Sequence, residues 1–390
     1  MINLITTVGT SLFRNYGIAS NDENYKCMGD KPYECYQEYL NESKQVERAI
    51  ISFYDNKDST DDISAEIKTT KKVKESLNAD IDVYLLASDT IISCLAANII
   101  KYFLEKDDIR VHFNPELYVI KGLQVQNRKK FINEGLSNLI TRVNTILKEN
   151  NPGNVAFNIS GGYKVTIPYF TLMAQINRCS TYYTFENTEE LIEIPAAPIS
   201  INDEMFNKYR KEFEELSSYI NDYDRWKNNH HEFTNIAKSC IETYGNIASL
   251  SPIGEILWGN YKNKYVSFFA TDEVVGKIKE NKELANKLLK ILGNEEIRKR
   301  KTEKKGKHLV YDDGNNGFRI IYIDHDDKIY VYAAFDHEPD ELKFLDDPKQ
   351  SNKIEDYDFE YYAINKQALT SGKSDWLEKP PLLPPFRRRT

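Results

Sequence analysis

The stretch Asn158-Ile-Ser-Gly-Gly-Tyr-Lys-Val-Thr-Ile-Pro168 sets two glycines, a tyrosine and a lysine where one apolar run gives way to another. Those residue types offer anion binding. Gly161 and Gly162 let backbone approach a ligand closely, and Lys164 brings a mobile positive charge. Gly9, Thr10 and Ser11 form a second small, hydroxyl-rich turn, and Ser88 with Asp89 follows a third apolar run. A different set lies further on: Arg298, Lys299, Arg300, Lys301, Lys304, Lys305 and Lys307 fall within ten residues of a chain that is acidic elsewhere. Such a cluster offers contacts to RNA phosphates. The competing reading is a solvated, lysine-rich helix end.

Each N-terminal set needs a strand to bring it in and a helix to carry the chain away. Residues 155–159 predict a short buried strand, and 165–176 predict a helix whose first-turn N–H groups have no intrahelical partners. Those donors and the helix dipole favour an anion. Leu4-Ile-Thr-Thr-Val-Gly-Thr-Ser-Leu12 is another strand entering a turn, and Val83-Tyr-Leu-Leu-Ala87 predicts a third, with a helix over 90–103. In an open parallel sheet, ligands bind beyond the carboxyl ends of the strands, where loops from different strands converge. The pattern therefore reads as an anion or nucleotide site in a doubly wound α/β fold. Two plainer readings stay open: glycine turns that serve packing alone, and an Asp89 that only caps the following helix.

At 390 residues the chain is long enough for two domains. Its net charge of −8 argues against a generic nucleic-acid binder, so the local distribution of charge must decide. Cys27, Cys35, Cys94, Cys179 and Cys240 are scattered, odd in number and without metal spacing, which predicts reduced thiols and no metal site. No leader-like N-terminus and no run approaching ~18 apolar residues is present. A soluble, cytoplasmic protein without a membrane partner is expected.

Val8-Gly9-Thr10-Ser11-Leu12, Ile120-Lys-Gly-Leu-Gln124, Gly161-Gly162-Tyr163-Lys164 and Thr181-Tyr-Tyr-Thr-Phe-Glu186, in this order, resemble the CARF family, the Rossmann-like sensor domains of CRISPR systems. The resemblance covers roughly the first half, taken as a domain over 1–198. It implies a homodimeric receptor for a cyclic oligoadenylate made by a type III CRISPR complex. Cyclic tetra-adenylate is favoured over cyclic hexa-adenylate as the activator, and no other cofactor is implied. Gly9, Thr10, Ser11, Ser88, Asp89, Gly161, Gly162, Tyr163 and Lys164 would then line the ligand. In some relatives a serine and a lysine at the positions of Ser11 and Lys164 also cleave the bound ring, which would switch the signal off.

Strand character ends near Pro195-Ala-Ala-Pro198, and 199–261 is expected to be a helical linker. Within it, Arg225 and His230 have the spacing of HEPN ribonucleases. The alternative is a solvated helix face, and a HEPN domain would continue as helices, which this chain does not. It continues instead with a strand at 265–270, a Thr271-Asp272 turn able to cap a helix, and a helix over 273–291. Three β-rich runs follow, His308 to Tyr311, Phe318 to Ile323 and Lys328 to Phe335, joined as a meander by Asp312-Asp-Gly-Asn-Asn-Gly317 and Asp324-His-Asp-Asp327.

That order, with Arg319 after an aromatic in Phe318-Arg-Ile-Ile-Tyr322, resembles the RelE toxin ribonucleases over an α+β domain at 262–347 with an antiparallel sheet. The joint resemblance is to CARF–RelE messenger-RNA interferases. It implies a metal-independent endoribonuclease that cuts mRNA in the ribosomal A site by 2′-OH attack, with mRNA and the ribosome as partners and DNA excluded. Arg319 would stabilise the pentacovalent phosphate, Lys305 and Lys307 lie near the family's strand lysines, and Arg298, Arg300, Lys301 and Lys304 would hold RNA. Beyond the last strand the family has a basic residue and later a tyrosine; here Asp336-His337-Glu338 is followed by Phe344. His337 could serve as acid or base, since an unperturbed histidine titrates at about 6.5. Residues 348–390 are expected to be an acidic and proline-rich extension ending in Pro380-Pro-Leu-Leu-Pro-Pro-Phe-Arg-Arg-Arg389. Two further functions compete: a HEPN-type ribonuclease using Arg225 and His230, and a CARF transcriptional regulator without catalysis.

Overall fold

The computed structural model describes residues 1–16, 22–55, 63–150, 152–184, 190–199, 201, 203–293, 295–312, 314, 318–326, 328–371 and 376–379. Phe185 and Glu186 of the fourth motif, parts of the two hairpin loops at 313, 315–317 and 327, and the run 380–390 lie outside them. The protein is mixed α/β and divides into two compact units. One comprises 1–202 with 215–260, the other 203–214 with 261–390.

In the first unit, β1 (Ile2–Thr7), β2 (Ile81–Ser88), β3 (Arg110–His112), β4 (Val119–Ile120), β5 (Val155–Asn158), β6 (Ser180–Thr184) and β7 (Leu191–Ile194) form one sheet. The order is β3-β2-β1-β5-β6-β7, with β4 also on β2. All pairs are parallel except β6 with β7. Every residue of β2 is buried, as a strand covered on both faces requires. Alternation splits the core into two layers. Leu4, Val83, Leu85 and Ala156 meet residues of the helices Leu40–Asp55, Ala65–Leu77 and Ile91–Lys106, while Ile5, Tyr84, Leu86 and Phe157 meet those of Leu136–Glu149 and Ile167–Ile176. Because the chain runs outward from β1 to β2 and returns to β5 on β1's other side, the strand order reverses between β1 and β5. That reversal opens a crevice at their carboxyl ends.

The expected linker is not helical throughout. Short helices Tyr223–Asn229 and His231–Ile236 lead into a hairpin of β8 (Ile241–Tyr244) and β9 (Ile247–Leu250) around Gly245, whose φ of +59° suits a glycine turn.

The second unit has a sheet of β10 (Tyr265–Ala270), β11 (Thr302–Lys305), β12 (His308–Tyr311), β13 (Arg319–His325), β14 (Lys328–Phe335), β15 (Glu360–Asn365) and β16 (Leu377–Glu378), in the order β11-β12-β13-β14-β10-β15-β16. The meander β12-β13-β14 is antiparallel and β10 joins it parallel to β14. Two helices, Asp272–Glu280 and Lys282–Gly293, stand where one was expected, and they cover one face through Val274, Ile278, Leu284 and Leu288. The acidic extension corrects the expected boundary, since β15 pairs with β10 over six residues and buries Tyr362 and Ile364. Its alternation is masked in the sequence by the charged residues around it. No described helix is long and apolar enough to cross a membrane.

Candidate functional site

The crevice between β1 and β5 gathers the turns singled out above. Thr7 Oγ1 donates to the Gly161 carbonyl (2.7 Å), and a Cβ on Gly9 would lie 2.9 Å from the Gly162 nitrogen. Gly162 has a φ of +84° and a Cβ there would meet Thr7 Cβ at 2.8 Å, so glycine is needed for both conformation and space. Thr10 and Lys164 are exposed and Ser11 is half-buried. Thr10 precedes the short helix Ser11–Asn15 but its side chain makes no capping bond. Lys164 opens a 3₁₀ turn, Lys164–Thr166, that leads into Ile167–Ile176.

Beneath these turns lies a residue that sequence reading did not select. Glu66, in the first turn of Ala65–Leu77, is completely buried and accepts a 2.6 Å bond from the Gly9 N–H through Oε1. Its Oε2 has no hydrogen-bond partner among the described residues. Burial pushes its pKa up, only partly opposed by the Gly9 bond. The same helix contributes Thr69, whose hydroxyl meets Ser160 Oγ (2.7 Å) and Thr184 Oγ1 (2.8 Å). The helix thereby fastens the ends of β1, β5 and β6 together. Nothing in the Glu66 sequence context distinguishes it from a surface carboxylate.

The third turn lies beside Tyr163, whose phenol burial pushes upward in pKa while the neighbouring Ser88 opposes the shift. Asp89 is nearly buried, and its Oδ2 accepts from Gly122 N–H and Gln124 Nε2, both at 2.9 Å, with Lys130 Nζ at 3.6 Å. Its carboxylate is thus engaged in holding the loop that carries Ile120-Lys-Gly-Leu-Gln124, a correction to its reading as a ligand contact. Thr90, and not Asp89, caps the helix, accepting from Ser93 N–H at 3.2 Å.

Arg225 is exposed on Tyr223–Asn229, while His230 caps that helix and stacks on Trp226 with ring centroids 4.5 Å apart. A β-hairpin follows. The imidazole packs on the indole face here.

In the second unit Lys305 and Arg319 stand on the same face of the sheet but at opposite ends of β12, Lys305 opposite His308 and Arg319 beyond the Tyr311–Ile320 pair. Four residues of strand span roughly 13 Å. Their long side chains nonetheless converge on one carboxylate. Lys305 Nζ lies 2.8 Å from Glu341 Oε1 and Arg319 Nε 3.5 Å from Glu341 Oε2. Arg319 Nη2 also pairs with Asp312 at 2.8 Å. Glu341 is completely buried and comes from the helix Glu338–Asp346, which lies over this face. The expected open, positive face is therefore internally neutralised, because two carboxylates balance the two cations.

Beside this network, His308 is buried, shares a 2.7 Å bond between Nδ1 and the Tyr332 hydroxyl, and leaves Nε2 without a hydrogen-bond partner among the described residues. Phe344 packs against both rings. Of the expected RNA contacts, Arg298 requires correction: it is buried, pairing with Asp324 at 3.2 Å and donating to the Ile291 carbonyl. A long cation next to a strand can reach inward as easily as outward, which composition does not reveal. Arg300, Lys304 and Lys307 are exposed and Lys301 half-buried. His337 is exposed at the start of Glu338–Asp346 and makes no side-chain capping bond, and among the described residues the Glu341 carboxylate pairs with Lys305 and Arg319, not with the side chain of His337 or Lys307. Among the described residues no His, Cys, Asp and Glu group could hold a metal ion, and all five cysteines are free.

Residues 61–197 match the family model described as CRISPR-associated protein (Cas_APE2256). The matched stretch carries Glu66, Ser88, Asp89 and the 158–164 turn, but neither the Gly9 turn nor the C-terminal unit. A search of curated proteins finds no match to the chain.

Proposed function

We propose that this CRISPR-associated chain is a cyclic-oligoadenylate-activated endoribonuclease of type III CRISPR defence, with a CARF sensor before a RelE-like nuclease. The observation that carries the sensor half is the meeting of strand-end turns at one crevice, where Thr7 bonds Gly161, Gly9 comes against Gly162 and Thr10, Ser11 and Lys164 stay accessible. Backbone N–H groups and a lysine at such a crevice suit the phosphates of a nucleotide ring. A cyclic ligand with repeated units fits a two-fold axis, so a homodimer would present the crevice twice. Ser11 and Lys164 are the pair that would cleave the ring in a self-limiting enzyme.

The nuclease half rests on the resemblance and on Lys305 and Arg319 sharing one sheet face. In this reading the ribose 2′-oxygen attacks the adjacent phosphorus, its proton passes to a base, the 5′-oxygen leaves with a proton, and a 2′,3′-cyclic phosphate remains. Arg319 and Lys305 stabilise the phosphorane, and His337 is the candidate proton carrier.

The test is cleavage of ribosome-bound mRNA in EDTA by wild type, Arg319→Ala and His230→Ala, with and without cyclic tetra-adenylate or hexa-adenylate. Ligand-dependent cutting lost only in Arg319→Ala supports this reading. Loss only in His230→Ala transfers the chemistry to a HEPN mechanism, and no cutting by any of them leaves a sensor or regulator. Equal rates on naked RNA would remove the ribosome from the reading.

A further inference from the structure

We propose that the helix Glu338–Asp346 is an internal lid, and that the Glu341 carboxylate holds the place of an RNA phosphodiester between Lys305 and Arg319. This inference rests on the ribonuclease reading and names the regulation of the same site.

The first argument is chemical. A Lys ammonium and an Arg guanidinium converging on two oxygens of one anion is the recognition pattern of a phosphate as much as of a carboxylate. Glu341 supplies those two oxygens from within: Oε1 at 2.8 Å from Lys305 and Oε2 at 3.5 Å from Arg319, with Oε2 making no hydrogen bond among the described residues. Of the two contacts, the one to Arg319 is the longer.

The second argument is the way the lid is seated. Among the described side chains of this nine-residue helix, Glu341 is the only fully buried one. Phe344 and Leu345 are half-buried on the sheet, and Leu342 is 48% exposed. The helix is seated by Phe344 and Leu345 on its apolar side and by the Glu341 carboxylate on its charged side. Burying a carboxylate is costly unless it is paired, so a better anion for its two cations removes what keeps Glu341 inside. RNA supplies one, and the exchange leaves Lys305 and Arg319 paired throughout.

The experiment compares wild type, Glu341→Gln and Leu342→Gly without activator. It measures anisotropy with a labelled 2′-O-methyl RNA and cleavage of ribosome-bound mRNA, with wild type plus cyclic tetra-adenylate or hexa-adenylate as the reference. Glu341→Gln should bind RNA about tenfold more tightly than wild type and cut without activator. Leu342→Gly keeps the buried network and loosens only the exposed face of the helix, so it tests the lid even where Glu341→Gln does not fold. It should give a gain of roughly two- to fivefold, the effect of glycine in an exposed helix position. If activated wild type cuts while folded variants neither bind better nor cut alone, the lid is wrong and the ribonuclease reading stands. If the variants bind RNA more tightly but nothing cuts, the lid stands and the ribonuclease reading fails. If no protein binds RNA or cuts, both fall.

Discussion

The Oε1 of Glu66 fills the volume that a side chain at Gly161 would need, so the buried carboxylate and the glycine turn are complementary surfaces of one joint. Gly161→Ala should therefore destabilise the N-terminal unit by about 1–3 kcal/mol, the range for overpacking a close-packed site. Adding Glu66→Ala should recover part of that loss, and a double-mutant cycle by urea unfolding measures the coupling. Strict additivity would show that the two do not share the space.

Glu66 also predicts a pH dependence. Burial raises its pKa above the ordinary 4.5, so the folded chain keeps a proton that the unfolded chain releases. The stabilisation is complete below about pH 4.5 and is lost as pH rises through the folded value. Glu66→Gln, which can still accept from Gly9 N–H, should lack that decline. Thermal midpoints of both proteins across pH 4–8 check it, and parallel curves would refute it.

His308 gives the opposite sign in the other unit. Burial first, and Lys307 second, lower its pKa from 6.5. The neutral ring's contribution is present above about pH 6.5 and is lost as pH falls through the folded value. Unfolding of the C-terminal unit should grow easier on acidification from pH 7 to 5 in wild type, and less so in His308→Gln.

Arg319 has a structural duty that complicates its use as a catalytic probe. Arg319→Ala leaves buried Glu341 with Lys305 alone, and breaking a buried pair from one side costs about 3 kcal/mol. Arg319→Lys keeps the charge, and should keep the thermal midpoint within a few degrees while lowering activated cleavage by about a hundredfold. Equal loss of stability and cleavage in both variants would make Arg319 purely structural.

The N-terminal crevice was legible because its signals are local. Apolar runs ending in Gly9, Ser88 and Gly161 state both the strand and the turn, and the parallel sheet places their ends together. The hairpin at Gly245-Asn246 had an equally local signal that the surrounding polar helices obscured. Glu66, Glu341 and Arg298 were not legible, since their burial depends on which distant strand or turn a charged side chain meets. Glu341 sits in a run of acids between 336 and 347 where only the fold singles it out.

The division of the chain at 202, 214 and 260 has a consequence for inheritance. A fragment beginning at Tyr261 would forfeit Phe206, which stacks on Tyr261, and Arg210, which bonds Ser267 and lies over Tyr361. A fragment ending at Asn260 would carry those residues without the sheet they serve. The two units are therefore not beads that recombination can swap with a single crossover. Exchanging either for a foreign counterpart would require moving two discontinuous pieces at once, so the two units should be passed on as a whole.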